Sequence, residues 1–173
     1  ELFYQFYNPA RSPMSAPRNP IVIIPARLAA TRFPNKPLAE IDGEAMIVHV
    51  WRRAMEADIG PVLVAAGDSA IAEAINDIGG DVVLTDPNLA SGSDRIHAAL
   101  ISRDHSRDFD AVINLQGDLP TIEPAAVRAA MTPLNDGAVD IATIGAEITI
   151  EAERHDPNVV KAVAAIAPGK TIG

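Results

Sequence analysis

Between residues 24 and 38 the sequence reads IPARLAATRFPNKPL, which sets three cations, Arg27, Arg32 and Lys36, among three prolines, Pro25, Pro34 and Pro37. Each proline fixes its own φ and so lowers the entropy cost of holding neighbouring side chains in place. Arginine offers a planar fork of donors and lysine a compact charge, a combination suited to a polyphosphate. The same three side chains also fit an ordinary solvated loop, and spacing alone does not choose between the two. A second candidate is NLQGDLP, residues 114–120, where Asp118 follows Gly117. A hard carboxylate beside a residue that lets ligands approach suits Mg²⁺ shared between protein and substrate phosphates, although Gly-Asp is also a common turn. The third is SGSDR, residues 91–95, with Gly92 between Ser91 and Ser93. Ser93 or Asp94 can cap a helix there, and the free amides of a helix start suit an anion or a ligand carbonyl.

For three such segments to cooperate, the fold must bring them to one place. From Pro20 onward, short apolar runs alternate with helical patterns. Segments 21–24, 62–66, 82–84 and 111–115 read as buried strands, apolar on both faces as parallel strands usually are. Helical spacing predicts helices over 45–57, 69–78, 93–102 and 124–131. Gly79-Gly80 is a natural stop for the second, and the fourth starts near Thr121 or Glu123 and ends before Pro133. Residues 140–150 and 159–166 read as two further strands, the second antiparallel or at an edge. Repeated alternation of strand and helix implies an α/β fold with a mostly parallel sheet and helices on both faces. In open sheets of this kind ligands gather beyond the carboxyl ends of the strands. That rule selects the loops 25–37, 67–68, 85–94 and 116–120, and each of the three candidate segments overlaps one of them.

A chain of 173 residues is long enough for one domain with a real core and short for two. Lys and Arg total 14 against 23 Asp and Glu, a net charge of −9, which argues against sequence-independent binding to nucleic acid or an anionic membrane. The cations of the 24–38 segment therefore serve a local purpose. The absence of cysteine excludes disulfides, thiolate catalysis and Cys-ligated zinc, and fits a reducing cytoplasm. No apolar run approaches the roughly 18 residues of a membrane span. Residues 1–19 carry three prolines and no periodic pattern, and are expected to be a disordered or added leader ahead of a domain covering 20–173. The four histidines, His49, His97, His105 and His155, show no metal-ligand spacing, and His49 reads as structural. Asp81, Asp104, Asp108 and Asp110 read as solvated turns. APGKT, residues 167–171, imitates the end of a phosphate loop, but Ala164 stands where the first glycine is required.

Taken together, IPARLAATRFPNKPL, SGSDR, NLQGD and DPNVVK resemble the 3-deoxy-D-manno-octulosonate cytidylyltransferase family, in collinear order from about Pro20 to Lys161. The resemblance implies a nucleotidyltransferase fold of the glycosyltransferase-A-like type. It implies CTP and a sugar acid as substrates, pyrophosphate as product, a role in lipopolysaccharide synthesis, a cytoplasmic location, and a homodimer in the full-length form. By position, Arg27, Thr31, Arg32 and Lys36 would hold the triphosphate beside Ala26, and Asp118 would bind Mg²⁺. Ser91, Gly92 and Arg95 would lie around the cytosine and ribose, and Gln116 between nucleotide and sugar. Arg27, Lys36 and Asp118 would carry catalysis, offsetting charge as the sugar hydroxyl attacks the α-phosphorus.

Three departures accompany the resemblance. Ala30 stands where the family often has Ser, and Leu119 where Glu commonly follows the Gln-Gly-Asp triplet. The family also continues well past residue 173, with a second Mg²⁺-binding Asp, much of the sugar-acid pocket and much of the dimer contact in that part. The expectation is therefore an incomplete enzyme with weak nucleotide binding. The alternatives are another sugar or sugar-acid nucleotidyltransferase of the same fold, or a non-catalytic nucleotide-binding module.

Overall fold

The structure, a computed structural model, describes residues 16–29 and 35–161. In chain order its elements are β1 (Pro20–Ala26), β2 (Glu40–Ile41), β3 (Glu44–Ala45), α1 (Met46–Ala57), β4 (Val62–Ala66), α2 (Ser69–Asn76), β5 (Asp81–Leu84), α3 (Gly92–Arg103), β6 (Ala111–Asn114), α4 (Pro124–Ala129) and α5 (Glu151–His155). A 3₁₀ turn covers Lys36–Leu38. The strands and helices expected from periodicity over 21–131 all form, with no end shifted by more than two residues.

β1 is the centre of a four-stranded sheet in the order β5-β4-β1-β6, and every neighbouring pair is parallel. Its apolar run allows this, because a central parallel strand is covered on both faces. Val22 and Ile24 join Val64 on the face covered by α1, α2 and α4, where they meet Ile47, Val50, Ile71 and Val127. Ile21 and Ile23 join Leu63 and Ala65 on the other face, against Ile96 and Ala99 of α3. Each fully buried Val, Leu or Ile contributes about 1.5–3 kcal/mol relative to exposure. The chain steps from β1 outward to β4 and β5, then crosses back to place β6 on the far side of β1. The connections therefore diverge between the carboxyl ends of β1 and β6, the place where open sheets bind ligands.

Two local devices fix the start of α1. Asp42 and Gly43 sit at φ 51° and 83°, the left-handed pair that a two-residue hairpin needs, so β2 and β3 close tightly. His49 Nε2 lies 2.9 Å from the Ile41 carbonyl, and Arg52 grips Glu44 with both terminal nitrogens, one of them at 2.7 Å. His49 is thus a structural tie between helix and hairpin, as its position on α1 suggests.

Residues 140–150 form no strand: Ile141 is 71% exposed and Ile144 49% exposed. Their spacing favours extended backbone, but a strand needs a ladder, and among the described residues no strand other than β1 pairs with β6. Residues 159–161 are not in a strand either, while 162–166 and 167–171 lie outside the described residues. Three of the four aspartates read as solvated turns, Asp81, Asp104 and Asp110, hold backbone or a cation instead. Asp110 accepts from the Arg18 and Asn19 amides at 2.8 and 3.0 Å, Asp104 accepts from the Asp108 and Phe109 amides at 2.8 and 3.1 Å, and Asp81 pairs with Arg103. Short carboxylates satisfy loop amides that have no ladder partner. Residues 1–15, most of the segment read as a leader, lie outside the described residues.

Candidate active site at the carboxyl ends of β1 and β6

A cleft of about 240 Å³ opens where β1 and β6 end. Pro25 and Ala26 form its floor, and the loops after β1, β5 and β6 supply its walls. Of the residues singled out by sequence, Ala26, Arg27, Lys36, Ser91, Gly92, Arg95, Gln116 and Asp118 line this one space. Thr31 and Arg32 lie outside the described residues. Segments separated by up to 92 positions thus converge through strand order alone.

Gly117 lets the floor close. A Cβ there would stand 2.9 Å from the Pro25 carbonyl oxygen and 3.4 Å from Ile47 Cδ1, so a larger residue would push the two strand ends apart. Beside it, Asp118 Oδ2 pairs with Lys36 Nζ at 2.7 Å across the cleft mouth. Both side chains are substantially exposed, at 50% and 38%, so the pair adds little to stability and leaves both groups open to ligands. Lys36 is aimed by the 3₁₀ turn, where Asn35 takes φ 58° and Pro37 is buried. Gln116 is exposed on the same rim, its Nε2 donating to Asn114 Oδ1 at 3.1 Å.

The opposite wall is the start of α3. Ser91, rather than Ser93 or Asp94, is its N-cap, because the helix begins at Gly92. Ser91 Oγ accepts from the Asp94 amide at 3.1 Å, and the Asp94 carboxylate accepts from the Ser91 amide at 3.0 Å, a reciprocal capping box. One turn on, Arg95 is the buried charged side chain among the described residues, only 2% exposed. Its guanidinium donates to Thr85 Oγ1, to the Asp86 carbonyl at 3.1 Å and to the Pro87 carbonyl at 3.3 Å. Arg95 therefore fastens the 85–87 loop as well as lining the cleft. Burial first, and then repulsion from Arg27, pull its pKa below the ordinary arginine value, while Asp68 and Asp86 oppose the shift. An arginine so placed stays charged at neutral pH, and with Arg27 it makes this wall positive.

Arg27 leaves β1 exposed, its guanidinium donating to the Leu89 carbonyl at 3.4 Å. Two residues in the next loop hold its surroundings and were given no role on sequence grounds. The Gly67 amide donates to the Ala26 carbonyl at 2.8 Å, and Asp68 Oδ2 accepts from the Leu28 amide at 2.8 Å. The signal for them was only their position just past a strand end. For a metal, Asp118 is the available carboxylate, and the described residues contain no cluster of three or more His, Asp or Glu side chains able to hold one. One exposed hard oxygen ligand fits Mg²⁺ that takes its remaining ligands from water and phosphate, and does not fit a closed protein cage.

A family profile described as cytidylyltransferase matches residues 21–170. The chain belongs to the cytidylyltransferase family. Within that family it is 59% identical over 159 residues to a 3-deoxy-manno-octulosonate cytidylyltransferase of Rhodospirillum centenum, covering 92% of this chain and 62% of that one. A protein of the same description from Paramagnetospirillum magneticum is 51% identical over 154 residues, covering 89% and 63%. The chain thus spans less than two thirds of the length of these curated relatives. Among solved structures, a CMP:2-keto-3-deoxy-manno-octonic acid synthetase complexed with CTP superposes with a TM-score of 0.61 at 37% identity, covering 69% of this chain and 48% of that one. The mostly parallel sheet with helices on both faces is therefore the family's nucleotidyltransferase fold. Among the described residues, no helix is long and apolar enough to cross a membrane.

Proposed function

We propose that the protein carries the nucleotide site of a Mg²⁺-dependent cytidylyltransferase that joins CTP to 3-deoxy-D-manno-octulosonate, giving CMP-3-deoxy-D-manno-octulosonate and pyrophosphate for lipopolysaccharide synthesis. The observation that carries the reading is the meeting of Arg27 and Lys36 with Asp118 in one cleft, in a chain 59% identical to a relative described by that activity. Both substrates are anions, which fits a reaction in the cytoplasm.

Arg27 and Lys36 bind the triphosphate oxygens and spread their charge, so that the α-phosphorus becomes open to attack. The acceptor's anomeric hydroxyl oxygen forms a bond to that phosphorus, the bond to the β,γ-pyrophosphate breaks, and the hydroxyl proton passes to water. Asp118 would hold the Mg²⁺, whose chemistry when bound is to neutralise charge on the departing pyrophosphate. Gln116, exposed on the rim between nucleotide and acceptor, orients the two. Ser91 and Gly92 close the nucleoside side, and Arg95 keeps the 85–87 loop in place behind them.

The test is pyrophosphate release by the full-length natural protein with CTP, Mg²⁺ and the sugar acid. Substituting Asp118→Asn should lower turnover about a hundredfold or more, as expected for loss of a charge acting at a phosphoryl transition state. No release above background by the wild type would refute the reading. Equal use of UTP, GTP or ATP would favour a nucleotidyltransferase without cytosine selectivity.

A further inference from the structure

We propose that Asp68 is a positioning residue for Arg27, holding the backbone of the phosphate-facing loop through the Leu28 amide. This rests on the cytidylyltransferase reading and deepens it by naming what keeps the Arg27 guanidinium aimed. Asp68 occupies the N-cap of α2 with extended backbone, φ −144° and ψ 143°, the position where a carboxylate ordinarily accepts from the first amides of its own helix. It makes no such bond. Its Oδ2 instead reaches 40 positions back in sequence, to the Leu28 amide at 2.8 Å.

The neighbouring Gly67 makes the companion contact, its amide donating to the Ala26 carbonyl at 2.8 Å. The residues immediately before and after Arg27 are therefore each tied to consecutive residues of the β4–α2 loop, and Arg27 is clamped between the two bonds. The approach is close enough to require glycine at 67. A Cβ there would stand 3.1 Å from Arg27 Cβ and 2.7 Å from an Arg95 guanidinium nitrogen. Asp68 also brings a negative charge to a wall holding two guanidinium groups, which offsets their mutual repulsion before any ligand arrives. A residue serving only α2 would cap α2, and this one gives up that bond to hold the loop after β1.

The experiment uses the full-length natural protein and measures the affinity of CTP, CMP and inorganic tripolyphosphate by calorimetry, with thermal midpoints alongside. Asp68→Ala should weaken CTP and tripolyphosphate by about tenfold or more, the size expected for a charge-assisted hydrogen bond, and leave CMP within about twofold. Asp68→Asn, which keeps an acceptor oxygen, should restore most of the loss. Equal weakening of CTP and CMP, or no weakening in Asp68→Ala, would overturn the proposal and assign Asp68 to general stability. If Asp68→Ala does not fold, Asp68→Asn decides alone: a loss of CTP affinity of tenfold or more would overturn the role of the hydrogen bond. Wild-type protein that binds tripolyphosphate without preferring CTP over other nucleoside triphosphates would refute the cytidylyl reading, while the Asp68 comparison on tripolyphosphate stands.

Discussion

Gly117 offers the sharpest test of how the cleft is built. In Gly117→Ala the new methyl would sit 2.9 Å from the Pro25 carbonyl oxygen, 3.4 Å from Ile47 Cδ1 and 3.5 Å from Ala26 Cβ. The nearest of these is backbone of the central strand, whose residues 20–23 pair with β6 and 22–26 with β4, so it cannot step aside as a flexible side chain would. Gly117 does not have the positive φ that disfavours other residues, so the penalty is steric. Overpacking of this kind costs about 1–3 kcal/mol, and the smaller chain entropy of the unfolded Ala variant returns about 0.4–1 kcal/mol. The net loss centres on about 1.3 kcal/mol, at most about 2.6 kcal/mol, which for a domain of this size lowers Tm by roughly 3–5 °C at the centre of that range. Thermal denaturation followed by circular dichroism reads it directly. Gly145→Ala is the matched control, because nothing lies within 4 Å of the added methyl, and it should stabilise by about 0.4–1 kcal/mol through the same entropy change. A Gly117→Ala variant that melts at or above the wild type would refute the argument that this glycine permits the β1 and β6 ends to meet.

Ser91→Ala removes the acceptor for the Asp94 amide and half of the capping box, and should cost about 1 kcal/mol in urea unfolding, with Ser91→Asp recovering most of it. At acid pH, the hydrogen bond from Arg52 first, with charge from Arg52 and His49, holds the Glu44 carboxyl below its ordinary value despite an opposing desolvation contribution. A carboxylate with a lowered folded pKa adds stability that is present above its unfolded pKa and fades as pH falls through the folded one. Glu44→Gln should therefore flatten the acid side of the stability profile, and an unchanged profile would show that this exposed pair carries no linkage.

Reading the chain before seeing it folded recovers most of the frame, for a physical reason. Residues 21–24 and 62–66 are unbroken apolar runs too short for helices and flanked by breakers, and Met46–Ala57 repeats its apolar residues every three or four positions. Such patterns encode burial within one element. The 140–150 segment shows where local pattern stops being sufficient, since extended propensity without a partner strand makes no ladder.

The candidate site divides along the same line. Residue chemistry and the rule of strand ends were enough to select Arg27, Lys36, Ser91 and Asp118, because cations, a small hydroxyl and a hard carboxylate are legible in any loop, whereas Arg95 was singled out only by the family resemblance. Their convergence was not, because it depends on β6 crossing to the far side of β1, a choice made by the packing of α1, α2 and α3 on opposite faces. Nor could the sequence distinguish an Asp that caps its own helix from Asp68, which spends its carboxylate on Leu28. Both are an Asp before a helix. Only the three-dimensional meeting of two strand ends decides which amide lies within reach of the side chain.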